Sequence, residues 1–225
     1  MGHFFNMHSS KKINQFNWPH IPQNLLKLYN NNSKKNKIYL KLRWRLCPFY
    51  KIINYIPKSG NILDIGCGFG ILSNILALES SQRIVKGIDI SESRIIEAKK
   101  TIRERKNIQF LIQDIKDIDY KIYDTIIMSD FLHHLDNVRQ TNILKTIYDK
   151  LNKESRLIIL DVNKTNSIKY YFANIVDFIL NGKKSNFRSN LEWESVLKDI
   201  GFTIENVVDL SKGLPLSDFL IIAKK

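Results

Sequence analysis

The segment Asp64-Ile65-Gly66-Cys67-Gly68-Phe69-Gly70 constrains this chain more than any other. It follows the apolar run 62–65 and precedes Leu72, Ile75 and Leu76, which share a helical face, so it joins a strand to a helix. Its glycines let the backbone turn sharply and come close to a bound molecule. The spacing Gly-x-Gly-x-Gly departs from the Gly-x-Gly-x-x-Gly of dinucleotide sites. A carboxylate, Asp64, also stands two residues ahead of the first glycine. A pyrophosphate prefers bare amides at a helix N-terminus, and Asp64 would repel it. The same acid suits the ammonium group of an amino-acid moiety, so nicotinamide dinucleotides are disfavoured as ligands.

Around this loop, strand and helix patterns alternate. Strands are predicted at 62–65, 84–90, 108–112, 122–128, 157–162, 202–208 and 217–223. Leu144, Ile147, Tyr148 and Leu151 share one helical face. Ile168, Tyr171, Phe172, Ile175, Val176 and Ile179 form a second helical stripe. Ser189 and Glu192 make a capping box before a helix that carries Trp193, Val196, Leu197 and Ile200 and stops at Gly201. Such alternation predicts an α/β fold with a doubly wound, mostly parallel sheet. Ahead of it, 38–56 is aromatic and basic and broken at Pro48, which predicts two short helices. Residues 1–37 lack sustained periodicity and read as a loosely ordered arm with a short helix near Leu25–Tyr29, and 38–225 reads as the folded domain.

Charge sets the arm apart. Residues 1–63 hold 11 Lys or Arg and no Asp or Glu, whereas the rest of the chain is close to balanced, within a net charge of +13. A basic arm is drawn to phosphates, anionic lipid head groups or an acidic protein. It stands apart from the Asp64–Gly70 loop, so it is expected to serve a second reactant or a partner and not the ligand held at that loop. The two cysteines, Cys47 and Cys67, give neither a disulfide framework nor zinc-ligand spacing, so no metal is expected and a reducing compartment is implied. The N-terminus lacks the basic start and apolar stretch of a signal peptide, which points to the cytoplasm.

Two further acids sit at strand ends. Asp89 closes the second strand, where a carboxylate can accept both hydroxyls of a ribose. Asp114 closes the third, where it can accept from an adenine amino group. Together these residues resemble the class I S-adenosylmethionine-dependent methyltransferases, in order from about residue 62 to 225. The resemblance implies a Rossmann-like sheet of seven strands whose last strand is reversed. It implies that Asp64, Gly66, Cys67, Gly68 and Gly70 hold the methionine part, that Asp89 holds the ribose and that Ile90 flanks the adenine. It also implies that Asp114 meets the adenine amine and that Ser129 and Asp130 lie beside the transferred methyl.

The segment Phe131-Leu132-His133-His134-Leu135 is similar to that of small-molecule methyltransferases of this class and unlike the Asn-Pro-Pro-Tyr motif of enzymes that methylate amino groups. If the acceptor is a hydroxyl it needs a base, and His133 or His134 can serve. Neighbours in sequence are expected to diverge, so both histidines should not reach one substrate. A finer resemblance, to a bacterial subgroup tied to lipid-like or carrier-bound acyl synthesis, rests on 43–49, Asp161-Val162, Lys169-Tyr170, Asp177 and 187–189. The expected function is methyl transfer to oxygen or carbon of a small-molecule or lipid-like acceptor. The alternatives are an RNA methyltransferase using the basic arm, disfavoured for want of an RNA-binding module, and a non-enzymatic S-adenosylmethionine-binding protein.

Overall fold

The computed structural model describes residues 20–165, 167–182 and 185–225. Strands β1 (Gly60–Ile65), β2 (Arg83–Asp89), β3 (Ile108–Ile112), β4 (Thr125–Ser129) and β5 (Arg156–Val162) run parallel. β6 (Thr203–Asp209) and β7 (Asp218–Lys224) close the sheet, with β7 antiparallel to both β5 and β6. The order β3-β2-β1-β4-β5-β7-β6 is a doubly wound sheet with a reversed last strand, as expected. Its winding reverses between β1 and β4, and ligands of open α/β sheets bind at that switch, beyond the carboxyl ends of the strands.

Period-two patterning sorts the strand residues into two layers. Ile62, Val85, Phe110 and Ile127 face one core, which also takes in helices α4 (Ile71–Glu79) and α5 (Glu92–Lys99). Leu63, Ile88, Ile126 and Met128 face the other, against α6 (Asn137–Lys150) and α8 (Asn190–Ile200). β5 is apolar without a break from Leu157 to Leu160 because both of its faces are covered. The fourth strand starts at Thr125 and not at 122. Asp119 accepts the Lys121 backbone N–H and turns 120–122 into a 3₁₀ turn, which leaves Ile122 exposed. The capping box at Ser189 and the left-handed stop at Gly201 both form.

Ahead of the sheet lie α1 (Gln23–Leu28), α2 (Lys34–Leu46) and the short α3 (Phe49–Ile52). The boundary expected at 37/38 falls inside α2, whose N-cap is Ser33. Leu25, Leu28 and Tyr29 are buried in the same core as α4, so 20–37 is part of the folded unit. These three contacts are too few to register as sustained periodicity. Residues 1–19 of the expected arm lie outside the described residues. Arg83, only 1% exposed, binds the turn before β1 to α4 by donating to the Pro57, Ile56 and Leu76 carbonyls. Among the described residues no helix is long and apolar enough to cross a membrane.

Trp193 on α8 is fully buried, and its indole N–H has no hydrogen-bond partner among the described residues. Trp193→Ala should cost about 3–5 kcal/mol of stability in urea denaturation. Trp193→Phe should cost clearly less, because it removes a donor that is already unsatisfied.

Candidate active site

The loop after β1 is shaped by backbone that only glycine adopts readily. Gly66 and Gly70 have φ of +72° and +74°. A Cβ on either would run into the ring of Phe131 or Phe110. Gly68 also has positive φ, but nothing lies within 4 Å of where its Cβ would be, so its backbone is open to a ligand. Asp89 at the end of β2 fastens the loop by accepting the Gly68 N–H at 3.0 Å and the Ser91 N–H at 2.8 Å. Asp64 is buried beneath the loop and accepts the Ser73 hydroxyl at 2.5 Å. Burial pushes its carboxyl up to about 7, against the pull of the Ser73 hydrogen bonds. A buried carboxyl so near neutrality would ionise fully beside an ammonium group.

The N-terminal helices close over this loop. The Tyr29 hydroxyl donates to the Phe69 carbonyl at 3.0 Å, and the Tyr39 ring packs edge-on against Phe69. Asn32 and Asn36 donate to Glu97 on α5. Residues ahead of Ile38 thus touch the Asp64–Gly70 loop through Tyr29 and α5 through Asn32 and Asn36. Net charge gave no hint of it, because the contacts are made by neutral side chains.

Across the switch point, Asp130 follows β4 with a left-handed φ of +49°. Arg43 of α2 donates to its Oδ2 at 2.7 Å, with the Ser129 hydroxyl at 3.3 Å. The next turn carries His133 and His134. Contrary to the expected divergence, their rings lie 4.2 Å apart and line the same cavity, because 132–134 forms a single 3₁₀ turn. His133 Nδ1 lies 2.6 Å from Asp161 Oδ1, and Nε2 lies 3.6 Å from Asp177 Oδ1 on α7 (Ile168–Asn181). Burial opposes its charge, but the Asp161 and Asp177 carboxylates outweigh it and hold its pKa up to about 10. His134, a third exposed at its side chain, is held down to about 4 by burial and by charged His133. One imidazole is thus a fixed cation and the other is neutral.

His133, His134 and Asp177 bring one donor atom each within 4.8 Å of one another, a grouping invisible in sequence because Asp177 is 43 residues downstream of His134. His133 of this grouping also pairs with the Asp161 carboxylate at 2.6 Å.

One cavity gathers most of the expected residues: Asp64, Gly66, Cys67, Gly68, Ser129, Asp130, His133 and His134. Gly70 serves instead as the left-handed N-cap of α4. Asp89 and Ile90 sit at the β2 end, with Ile90 77% exposed beside the loop. Asp114 is drawn into local work, capping the Lys116 N–H and pairing with its ammonium at 3.4 Å. Tyr39, Arg43, Phe69, Arg94, Val176 and Asp177 also line the cavity. Sequence reasoning did not place them there, since they come from the loop tip and from three different helices. The enclosed space is about 100 Å³, below the roughly 300 Å³ from which ligand sites begin.

A family model described as a methyltransferase domain matches residues 40–207. A ubiquinone biosynthesis O-methyltransferase of Rickettsia conorii is 28% identical over 174 residues, covering 74% of this chain and 57% of that protein. One of the same description from Coxiella burnetii is 31% identical over 122 residues, 53% of this chain and 50% of that protein. The chain thus spans little more than half the length of these relatives. The crystal structure of magnesium protoporphyrin IX methyltransferase (ChlM) from Synechocystis PCC 6803, with bound SAH, aligns with a TM-score of 0.67 at 20% identity. That alignment covers 90% of this chain and 93% of the other, and it speaks for the fold.

Tyr29→Phe removes the hydroxyl that, just after α1, donates to the Phe69 carbonyl and accepts from Asn74. It should lower stability by about 1–2 kcal/mol in denaturant titration. Hydrogen exchange at the amides of 66–70 should quicken more than exchange in α6.

Proposed function

Because the chain belongs to the methyltransferase-domain family matched over residues 40–207, we propose that it moves a methyl group from S-adenosylmethionine to a hydroxyl of a small-molecule or lipid-like acceptor. The observation that carries this reading is the single cavity that joins the Asp64–Gly70 loop to a neutral histidine. The relatives named for O-methylation in ubiquinone biosynthesis support oxygen as the acceptor atom.

When bound, S-adenosylmethionine supplies an electrophilic methyl, whose bond to sulfur breaks as the acceptor's O–CH₃ bond forms. Asp64 and the loop amides take the amino-acid end, Asp89 the ribose, and Ile90 and Asp114 the adenine side. Both oxygens of Asp89 already accept one backbone N–H, and each keeps a lone pair for a ribose hydroxyl. Ser129 and Asp130 border the methyl, with Asp130 fixed by Arg43. His134 is the base: it is uncharged at neutral pH and partly open to the cavity. His133 is the positioning residue. Held by Asp161 and Asp177, its positive charge favours the acceptor's oxyanion and keeps His134 deprotonated. Much of the rate then comes from alignment of the two reactants. The basic residues ahead of Asp64 fit an anionic partner, either lipid head groups or an acidic carrier protein.

His134→Gln should lower kcat with a hydroxylated aromatic acceptor by about 10²–10⁴-fold and leave cofactor affinity intact. The check is transfer of a ¹³C-labelled methyl group followed by mass spectrometry. An unchanged kcat would remove His134 as base.

Cofactor binding should also depend on pH through Asp64. Its carboxyl is raised to about 7 when the site is empty, and a bound ammonium ion favours the carboxylate. Affinity should therefore climb up to about tenfold per pH unit between pH 5 and 7, with about one proton released per cofactor at pH 6. Calorimetry in buffers of different ionisation enthalpy measures that proton. In the ligand-free protein the same shift acts the other way. A carboxyl whose folded pKa is raised stabilises the fold below its unfolded pKa, and that contribution is lost as pH rises through about 7. Asp64→Asn should abolish both dependences.

A further inference from the structure

The stripe on α7 has the spacing that ordinarily turns a helix toward a core, but here only Val176 of it turns inward and the rest faces out with Phe178. Ile168 is 87% exposed, Tyr171 58%, Ile175 58%, Phe178 60% and Ile179 74%. The helix holds to the domain through other residues, with Ala173 in the core and Val176 and Asp177 at the cavity. Single exposed apolar side chains are ordinary on any protein surface. A continuous row of them along a 14-residue helix marks a contact surface.

The charges nearby indicate what covers it. In sequence, Lys164, Lys169, Lys183 and Lys184 flank or begin α7 against a single acid, Asp177, which is turned to the histidines, while Lys169 also donates to the Ser211 carbonyl and Arg188 is engaged by Gln140 and Trp193. The chain as a whole carries +13. A second copy would bring the same positive surface. The helix face, about 21 Å long and 10–12 Å wide, offers roughly 250 Å², against about 800 Å² per partner in a stable interface. An acidic protein would answer the charge but leave the apolar row needing its own groove. An anionic bilayer answers both, with phosphates for the lysines and an acyl layer for isoleucine and phenylalanine. Tyr171 has the amphipathic ring favoured at that boundary.

We propose that α7 lies in the head-group layer of an anionic lipid bilayer, its outward face buried in lipid and its inward face over the cavity. A lipid-like acceptor would then pass from the bilayer beneath α7 to His134. That last step rests on the methyl-acceptor reading of the cavity. The docking itself is measured without turnover, so the two can fail separately.

The test is co-flotation of the full chain with vesicles of phosphatidylcholine alone or with about one third phosphatidylglycerol, at about 0.1 M and 0.5 M salt. The comparison is with a double variant, Ile175→Glu with Ile179→Glu. Both positions are exposed, so the urea midpoint and S-adenosylhomocysteine affinity should match those of the parent. The parent should float with anionic vesicles at least about tenfold more than with neutral ones, and less at high salt. The double variant should lose that binding at least about tenfold. Three results would overturn the proposal. One is a parent that ignores anionic vesicles. Another is a double variant that floats as well as the parent, which would leave the basic residues as the sole contact. The third is a dimer in light scattering that the double variant converts to monomer without any vesicle binding by the parent. Vesicle binding without methyl transfer to any acceptor would keep the docking and sink the enzymatic reading.

Discussion

The reversal of winding between β1 and β4 governs the rest of this molecule. Crossover helices cover the sheet on both faces, but at the switch they diverge and leave a crevice above the carboxyl ends of the strands. The glycine loop enters it from β1, Asp89 from β2 and the Asp130–His134 segment from β4. Each of these arrives there because parallel strands end on the same side. The loop can lie flat against the crevice because its glycines accept positive φ and because Phe110 and Phe131 fill the space that side chains would need. Asp89 then fixes the loop through the Gly68 backbone N–H, which any residue type at that position that can take the conformation would also supply.

Burial decides the charge states within the crevice. Asp64 has a hydroxyl partner but no cation, so removal from water raises its pKa. His133 is buried as completely, but two carboxylates face it, and Coulombic attraction exceeds the cost of desolvation. Burial and the neighbouring His133 cation hold His134 down to about 4, against the pull of the Asp177 and Asp130 carboxylates. At the first residue of β7, Asp218 is buried with both oxygens lacking a hydrogen-bond partner among the described residues, and burial pushes its pKa well up.

Much of this was legible along the chain because its causes are local. The alternation of strand and helix patterns follows from one-sided burial, and the loop spacing follows from the conformations glycine permits. The capping box at Ser189 and the stop at Gly201 are set by residues within a few positions of one another. Legibility failed where a residue's partner is distant. Tyr29 reads as an aromatic in a polar stretch until its hydroxyl is seen at Phe69, 40 residues on. Asp161 and Asp177 were noted as parts of a subgroup resemblance, but nothing in their spacing ties them to His133. The helical stripe at 168–179 was read correctly as a helix. Its period is the same whether it faces a core or the outside, so period alone could not say which.

The sequence by itself determined the α/β alternation, the glycine turn with its leading carboxylate and the acid at the end of β2, because these depend on neighbours within one strand or one turn. The tertiary structure alone decided that the N-terminal helices lie over the loop and that both histidines open into one cavity with their pKa values pushed in opposite directions. It alone turned the apolar side of α7 outward. Those outcomes depend on which surfaces meet after the chain has crossed the sheet, and on how far each ionisable group has been taken from water. Neither quantity is carried by sequence spacing.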